Sequence, residues 1–257
     1  MPIHHAPLIQ TDQLVPGDIL IEYENSPEHS LMWLGGGKPI VHSAEATFSG
    51  ILRQSARGFG GQGTPCFEVY RSLNNALGAK VSQFAAIWAT SSNDARYIFA
   101  KNNLDELSLM TRFSQDRLGG DGGHWDNEAR VRAVRAYCRV INNQPLSAIE
   151  GVTCSQFITY TYQAASIALL VARHALTRVV IQEINSRLLL NQLHNAMAYA
   201  AATASLRSIR LGIDATMPDA FKVDAKITSV DVLAAKLRLD PRFGHVGNLA
   251  GGDEDSD

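Results

Sequence analysis

Three residues of this chain could carry thiol chemistry together: Cys154, His29 and His42. Cys154 lies in Gly151-Val152-Thr153-Cys154-Ser155-Gln156-Phe157. Thr153 is suited to N-cap a helix, and Gln156, three residues on, can reach back to complete a capping box. Cys154 is then the first helical residue. There the unpaired backbone N–H groups and the positive end of the helix dipole favour a thiolate over a thiol, one route to a nucleophile at neutral pH. The competing reading is a small buried residue, the usual fate of a free cysteine. The histidine pair favours chemistry. His29 opens one strand-like stretch and His42 closes the next, with Gly35-Gly36-Gly37 turning the chain between them. Adjacent strands lie about 4.8 Å apart, so both imidazoles fall near one edge of the ladder. One can take the thiol proton while the other hydrogen-bonds its far nitrogen and fixes the tautomer.

The elements that must position these residues divide the chain in two. Ile19–Tyr23, Ser30–Leu34, Pro39–Ser43, Gly50–Gln54 and Cys66–Tyr70 read as strands separated by Gly, Pro and Asn turns, after an N-terminal arm. Helical spacing takes over from Gly78 to about Thr90, through a short helix to Phe99, and from Asn127 to Asn142, whose arginines 130, 132, 135 and 139 suggest a solvated face. From Thr153 to about Leu211 there is no proline, and Leu176, Val180, Ile184 and Leu188 recur as one long helix or a helical hairpin. Thr228-Ser229-Val230-Asp231 is a further capping signal before a helix that Pro241 stops. The expected architecture is α+β: a small antiparallel sheet packed on the cysteine helix, with additional helices around it. It forms a single domain over residues 1–250, with a helical insertion around 166–211 and a disordered acidic tail at 251–257.

Composition narrows the function. The formal net charge of −2 gives no basic field for nucleic acid. Three widely spaced cysteines without a CxxC are no disulfide framework and suit a reducing compartment. The most apolar stretch, 164–181, is broken by Arg173, His174 and Arg178, a poor membrane span. No signal peptide is legible, so the expected location is the cytoplasm, or outside by a route that reads no cleaved signal. The loop Leu118–Trp125 is glycine-rich but lacks the GK[ST] ending of a phosphate loop. His4, His5, His174, His194 and His245 read as satisfied or exposed side chains, and His124, ahead of the cysteine helix, stays open.

Pro16-Gly17-Asp18-Ile19-Leu20, followed by Glu28-His29-Ser30-Leu31-Met32-Trp33-Leu34-Gly35-Gly36-Gly37-Lys38-Pro39-Ile40-Val41-His42-Ser43-Ala44, resembles the strand–hairpin–strand block of the papain-fold NlpC superfamily. Most members place the cysteine before this block. Here it follows, an order that resembles the circularly permuted branch of lecithin:retinol acyltransferase-like and YiiX-like proteins. The resemblance implies His29 as base, His42 as orienting residue and Cys154 as nucleophile. It covers about residues 15–45 and 150–163, with a looser likeness over 229–247. This chain departs from the pattern in having Ser30-Leu31 where Val-Gly or Trp-Ala often follows the histidine, and the helical stretch 166–211 has no counterpart.

The function expected is a thiol-dependent hydrolase or acyltransferase that cleaves an amide or acyl bond through a Cys154 thioester. Its substrate would be a protein, peptide or acyl lipid, and the wider family includes enzymes that modify host proteins, so a bacterial effector that modifies protein or peptidoglycan is among the expectations. The Cys154 N–H would serve as oxyanion donor and Tyr23 as a second donor or substrate contact; the plainer reading of Tyr23 is a half-buried strand tyrosine. No cofactor is called for. A metal site built from His29, His42 and Cys154 lacks a close-spaced ligand pair. The alternative function is a catalytically silent papain-like fold used as an interaction module, with 166–211 as the partner-binding surface.

Overall fold

The computed structural model describes residues 6–23, 27–43, 51–54, 65–91, 124–146, 152–190 and 204–250. The glycine loop at 58–63, the short helix expected to end at Phe99, most of the glycine-rich loop before His124, the part of the 166–211 stretch from 191 to 203, the acidic tail, and His4, His5 and His194 lie outside the described residues.

Strands β1 (Leu8–Ile9), β2 (Ile19–Tyr23), β3 (Pro27–Trp33), β4 (Ile40–Ser43), β5 (Ile51–Gln54), β6 (Pro65–Ser72) and β7 (Phe243–Ala250) form one seven-stranded sheet in the order β1-β7-β6-β2-β3-β4-β5. All neighbours are antiparallel except β1 and β7. The strands expected from the first half of the sequence are present, but the sheet is larger than expected. The arm contributes β1, and β7 pairs along β6 from Ser72↔Phe243 to Pro65↔Ala250. Gly35 and Gly36 have φ of 75° and 79°, a region that favours glycine, and Leu34 N–H closes the β3–β4 turn on Pro39 O at 2.6 Å.

Period-two alternation gives the sheet two apolar faces. Ile19, Ile21, Met32, Val41, Ile51 and Tyr70 face the main core, shared with the helices. Leu20, Leu31, Trp33, Ile40, Phe67, Val69 and Leu249 form a smaller cluster on the opposite face, with Ile9 and Leu14.

The helices are α1 (Asn75–Ser91), α2 (Asn127–Ile141), α3 (Cys154–Arg173), α4 (Ala175–Leu190), α5 (Arg210–Thr216) and α6 (Val230–Leu239), with short 3-10 turns at Asp219–Phe221 and Ala225–Ile227. Helix α3 is the hub, touching α1, α2, α4, α5, α6, β3 and β4. It can be buried on so many sides because its flanks alternate large apolar residues with Ala164, Ala165 and Ser166, and because each buried hydroxyl has a backbone acceptor: Thr159 on Ser155 O, Thr161 on Phe157 O and Ser166 on Tyr162 O. Tyr162 stacks on Phe221 at 4.3 Å and donates its hydroxyl to Gly17 O at 2.7 Å, tying the hub to the turn before β2. The long helical stretch is interrupted: α3 ends with His174 as C-cap and α4 begins one residue later. Among the described residues no helix is long and apolar enough to cross a membrane.

The arginines of α2 do not form a solvated face. Arg130 is buried and makes a bidentate pair with Asp214 of α5, which also accepts from Trp125 Nε1. Arg132 makes a bidentate pair with Asp224, and Arg139 donates to Pro145 O. Asp214 and Asp224 lie more than eighty residues downstream of their arginines, whereas Pro145 is six residues from Arg139.

Candidate active site

The start of α3 is built as its sequence implies. Thr153 is the N-cap, its hydroxyl accepting from Gln156 N–H, while the Gln156 side chain accepts from Thr153 N–H at 3.1 Å. Cys154 is the first helical residue. Two side chains of the same turn fasten it to the approach to α6: Ser155 donates to Thr228 O at 2.7 Å, and Gln156 Nε2 to Lys226 O at 2.6 Å. The turn is buried, with Cys154 only 3% exposed.

What the sulfur meets is β3. Trp33 N–H donates to Asp18 O on the β2 side, and Leu34 N–H donates to Pro39 O on the β4 side. N–H directions alternate along a strand, so the N–H of Ser30, like that of Leu34, points toward β4. Pairing of β3 with β4 covers only Met32↔Val41 and Trp33↔Ile40. Among the described residues this pairing does not reach Ser30, whose N–H lies at the Cys154 sulfur. The Ser30 hydroxyl lies there too, together with the N–H groups of Ser155 and of Cys154 itself. Burial pushes the Cys154 thiol above its ordinary range, and these four donors only partly offset it. The helix start thus moderates the thiol without making it a resting thiolate.

The sulfur touches the peptide that joins His29 to Ser30. The register sets the two side chains on opposite faces: Ser30 pairs with Ile21 on the core face, whereas His29 pairs with Glu22 and shares its place in the alternation with Leu31 and Trp33. His42 pairs with Leu52, and its side chain lies outside the described residues. Tyr23 is on the core face but is engaged elsewhere: its hydroxyl accepts from Arg238 Nη2 at 2.7 Å, and the guanidinium lies over its ring. Burial and the carboxylate of Glu68 push the Tyr23 phenol well above its ordinary value.

Sequence reasoning missed the network around Tyr23. Glu68, fully buried on β6, accepts from Tyr70 at 2.6 Å and from Arg238 Nη2 at 2.8 Å. His245 is only partly satisfied: half-buried against Tyr70, its ring hydrogen-bonds Asn248 but keeps Nε2 buried without a partner, and burial lowers its pKa. No local motif announces Glu68 and Arg238, which lie far apart in the chain. Ser30 did leave a signal, as the position where the chain departs from the pattern it otherwise resembles. His124 is exposed beside the N-cap of α2. Among the described residues no cluster of three or more His, Cys, Asp or Glu could hold a metal ion. Comparison with protein-family models, curated proteins and solved structures finds no match to this chain.

Proposed function

We propose that the protein is a cysteine enzyme of the permuted papain-like kind, a hydrolase or acyltransferase in which Cys154 attacks a carbonyl of a protein, peptide or acyl-lipid substrate. The observation that carries this reading is the seat of Cys154: the first residue of a capped helix, its sulfur surrounded by N–H and hydroxyl donors beside β3. Because burial favours the thiol, the reaction begins with a neutral S–H and needs a base at the moment of attack, not a standing ion pair. His29 fills that role in the resemblance, and its backbone adjoins the sulfur. Its register position puts the ring on the face of the sheet opposite Ser30, so this role requires it to turn toward the β3–β4 edge when substrate binds. His42 orients it in the same scheme. The S–C bond forms as the thiol proton passes to His29. The protonated ring then gives that proton to the leaving group as the thioester is made, and water or an acceptor amine or hydroxyl resolves it. The Cys154 N–H serves the oxyanion as the carbonyl approaches.

The experiment is a mass-spectrometric search for an acyl adduct on Cys154 after incubation with cell extract, followed by turnover assays on the substrate class found. Cys154→Ala and His29→Ala should each abolish turnover with the circular dichroism unchanged, and His42→Ala should do less. Full activity in folded Cys154→Ala protein would sink the mechanism. A second reading, a silent fold used for binding, is favoured by the deep burial of Cys154 and by the register of His29. It predicts no adduct under any condition and no effect of Cys154→Ala on partner capture.

A further inference from the structure

The Ser30 hydroxyl is fully buried and satisfies no hydrogen bond with sound geometry, although it lies beside the Cys154 sulfur. An orphaned buried hydroxyl lowers stability, and alanine at this position would avoid that cost. The neighbouring hydroxyls of the helix start are all engaged, Thr153 with the Gln156 N–H and Ser155 with Thr228 O. Of these hydroxyls only that of Ser30 lacks a hydrogen-bond partner, and the sulfur, whose accepting power changes with its charge, lies beside it. A neutral thiol is a weak acceptor; a thiolate is a strong one.

We propose that Ser30 is a positioning residue for Cys154, its N–H and hydroxyl forming a two-donor seat that is completed only when the sulfur carries negative charge. The inference rests on Cys154 being the nucleophile and assigns Ser30 a part in its reaction. As the proton leaves, the hydroxyl turns and donates to the sulfur, so the donor is preplaced. The N–H holds the sulfur beside β3 throughout. When the sulfur becomes a thioester the hydroxyl loses its partner again, which favours resolution of the intermediate over its accumulation. The titratable or charged groups on the elements packed against this helix start are Glu28 and His29 on β3, His42 on β4, Asp224 and Lys226 at the 3-10 turn, and Asp231, Lys236 and Arg238 on α6. The donors at the sulfur are the hydroxyl and N–H of Ser30 and the backbone N–H groups of Ser155 and Cys154, which do not titrate.

The test follows ionisation of each cysteine by the Cβ resonance of isotope-labelled cysteine across alkaline pH, in the full chain, with Cys154→Ala assigning the signals. Ser30→Ala should raise the Cys154 midpoint by about one pH unit or more, leaving roughly a tenth of the thiolate at a given pH below it. The Cys138 signal should stay in place and the urea midpoint should not fall. Ser30→Thr, which keeps the hydroxyl, should restore the Cys154 midpoint; if its extra methyl prevents folding, Ser30→Ala decides alone. An unchanged Cys154 midpoint in folded Ser30→Ala protein, or loss of stability without a shift, would overturn the seat. The readout needs no substrate. Failure of the seat would leave the thiol mechanism standing, whereas full turnover of Cys154→Ala would remove the mechanism without moving the midpoint comparison.

Discussion

Helices α2 and α3 pack side by side, and each buries a cysteine at 3% exposure, yet the two thiols sit in different chemistry. Cys138, in the middle of α2, belongs to the apolar core, and burial alone pushes its thiol up to about 12. Cys154 is also pushed up by burial, but against four opposing donors. The polar groups of α2 are used up in pairs, Arg130 with Asp214 and Arg132 with Asp224, which fasten the helix to distant segments. Beside the start of α3, Ser30 of β3 has its hydroxyl left over, and it lies at the sulfur. Polar groups that complete one another hold a structure together, whereas a buried hydroxyl left over beside a thiol calls for an explanation other than stability.

The largest effect that would test this division is at α2. Asp214→Ala strands the buried Arg130 guanidinium and should cost roughly 3 kcal/mol in urea unfolding, with the Cys154 midpoint unmoved. A shift in Cys154 would mean that the two helices are not separate in role. Next come the paired serine replacements. Cys138→Ser buries a hydroxyl in the apolar core and should cost about 1–3 kcal/mol. Cys154→Ser, surrounded by donors, should cost less than Cys138→Ser in the same unfolding experiment while forming no thioester. Equal costs would erase the distinction.

Alkaline pH sharpens it further. Burial pushes the folded Cys138 thiol up to about 12, above the unfolded value near 8.5. Below the unfolded value both states keep the proton. Above it the unfolded chain binds fewer protons than the folded one, so stability falls as pH rises, by about 1.4 kcal/mol per unit, until the folded thiol itself ionises. Cys154 adds to the same slope in the same direction. Cys138→Ala should flatten the decline between about pH 9 and 10 in urea midpoints; an unchanged slope would place the burial effect elsewhere. The smallest effect concerns the cap. Thr153→Ala should lower stability by about 1 kcal/mol and raise the Cys154 midpoint, because the helix start that holds the donors loosens. A cap lost without any change at Cys154 would detach the thiol from its helix end.

The capping box of Thr153 and Gln156 was legible because cap chemistry is local, complete within four residues. The strands of the β2–β4 hairpins were legible for the same reason. β7 was not, since Gly244 and Gly247, the latter at φ 156°, interrupt its apolar alternation, and its partner β6 lies far upstream. The pairings of Arg130 and Arg132 were misread for a related cause: the helix shows four arginines, but Asp214 and Asp224 are reached only through the tertiary fold. The raised pKa of Cys154 could not be seen from the helix-start argument, which counts the dipole and N–H groups but not the depth of burial that outweighs them.

Ser155 and Gln156 hold the helix start by donating to the carbonyls of Thr228 and Lys226, some seventy residues downstream. This fixes an order of assembly. Local hairpins such as β2–β3 close early because their loops are short, while contacts across long loops must wait. The Cys154 helix can form beforehand, but its first turn has no firm purchase until the segment before α6 arrives. A chain still folding therefore passes through states in which Cys154 is exposed without its polar seat. In such a state the thiol would regain an ordinary aqueous ionisation and be open to any passing oxidant or alkylating agent, so a pulse of reagent early in refolding would label a cysteine that the finished fold conceals.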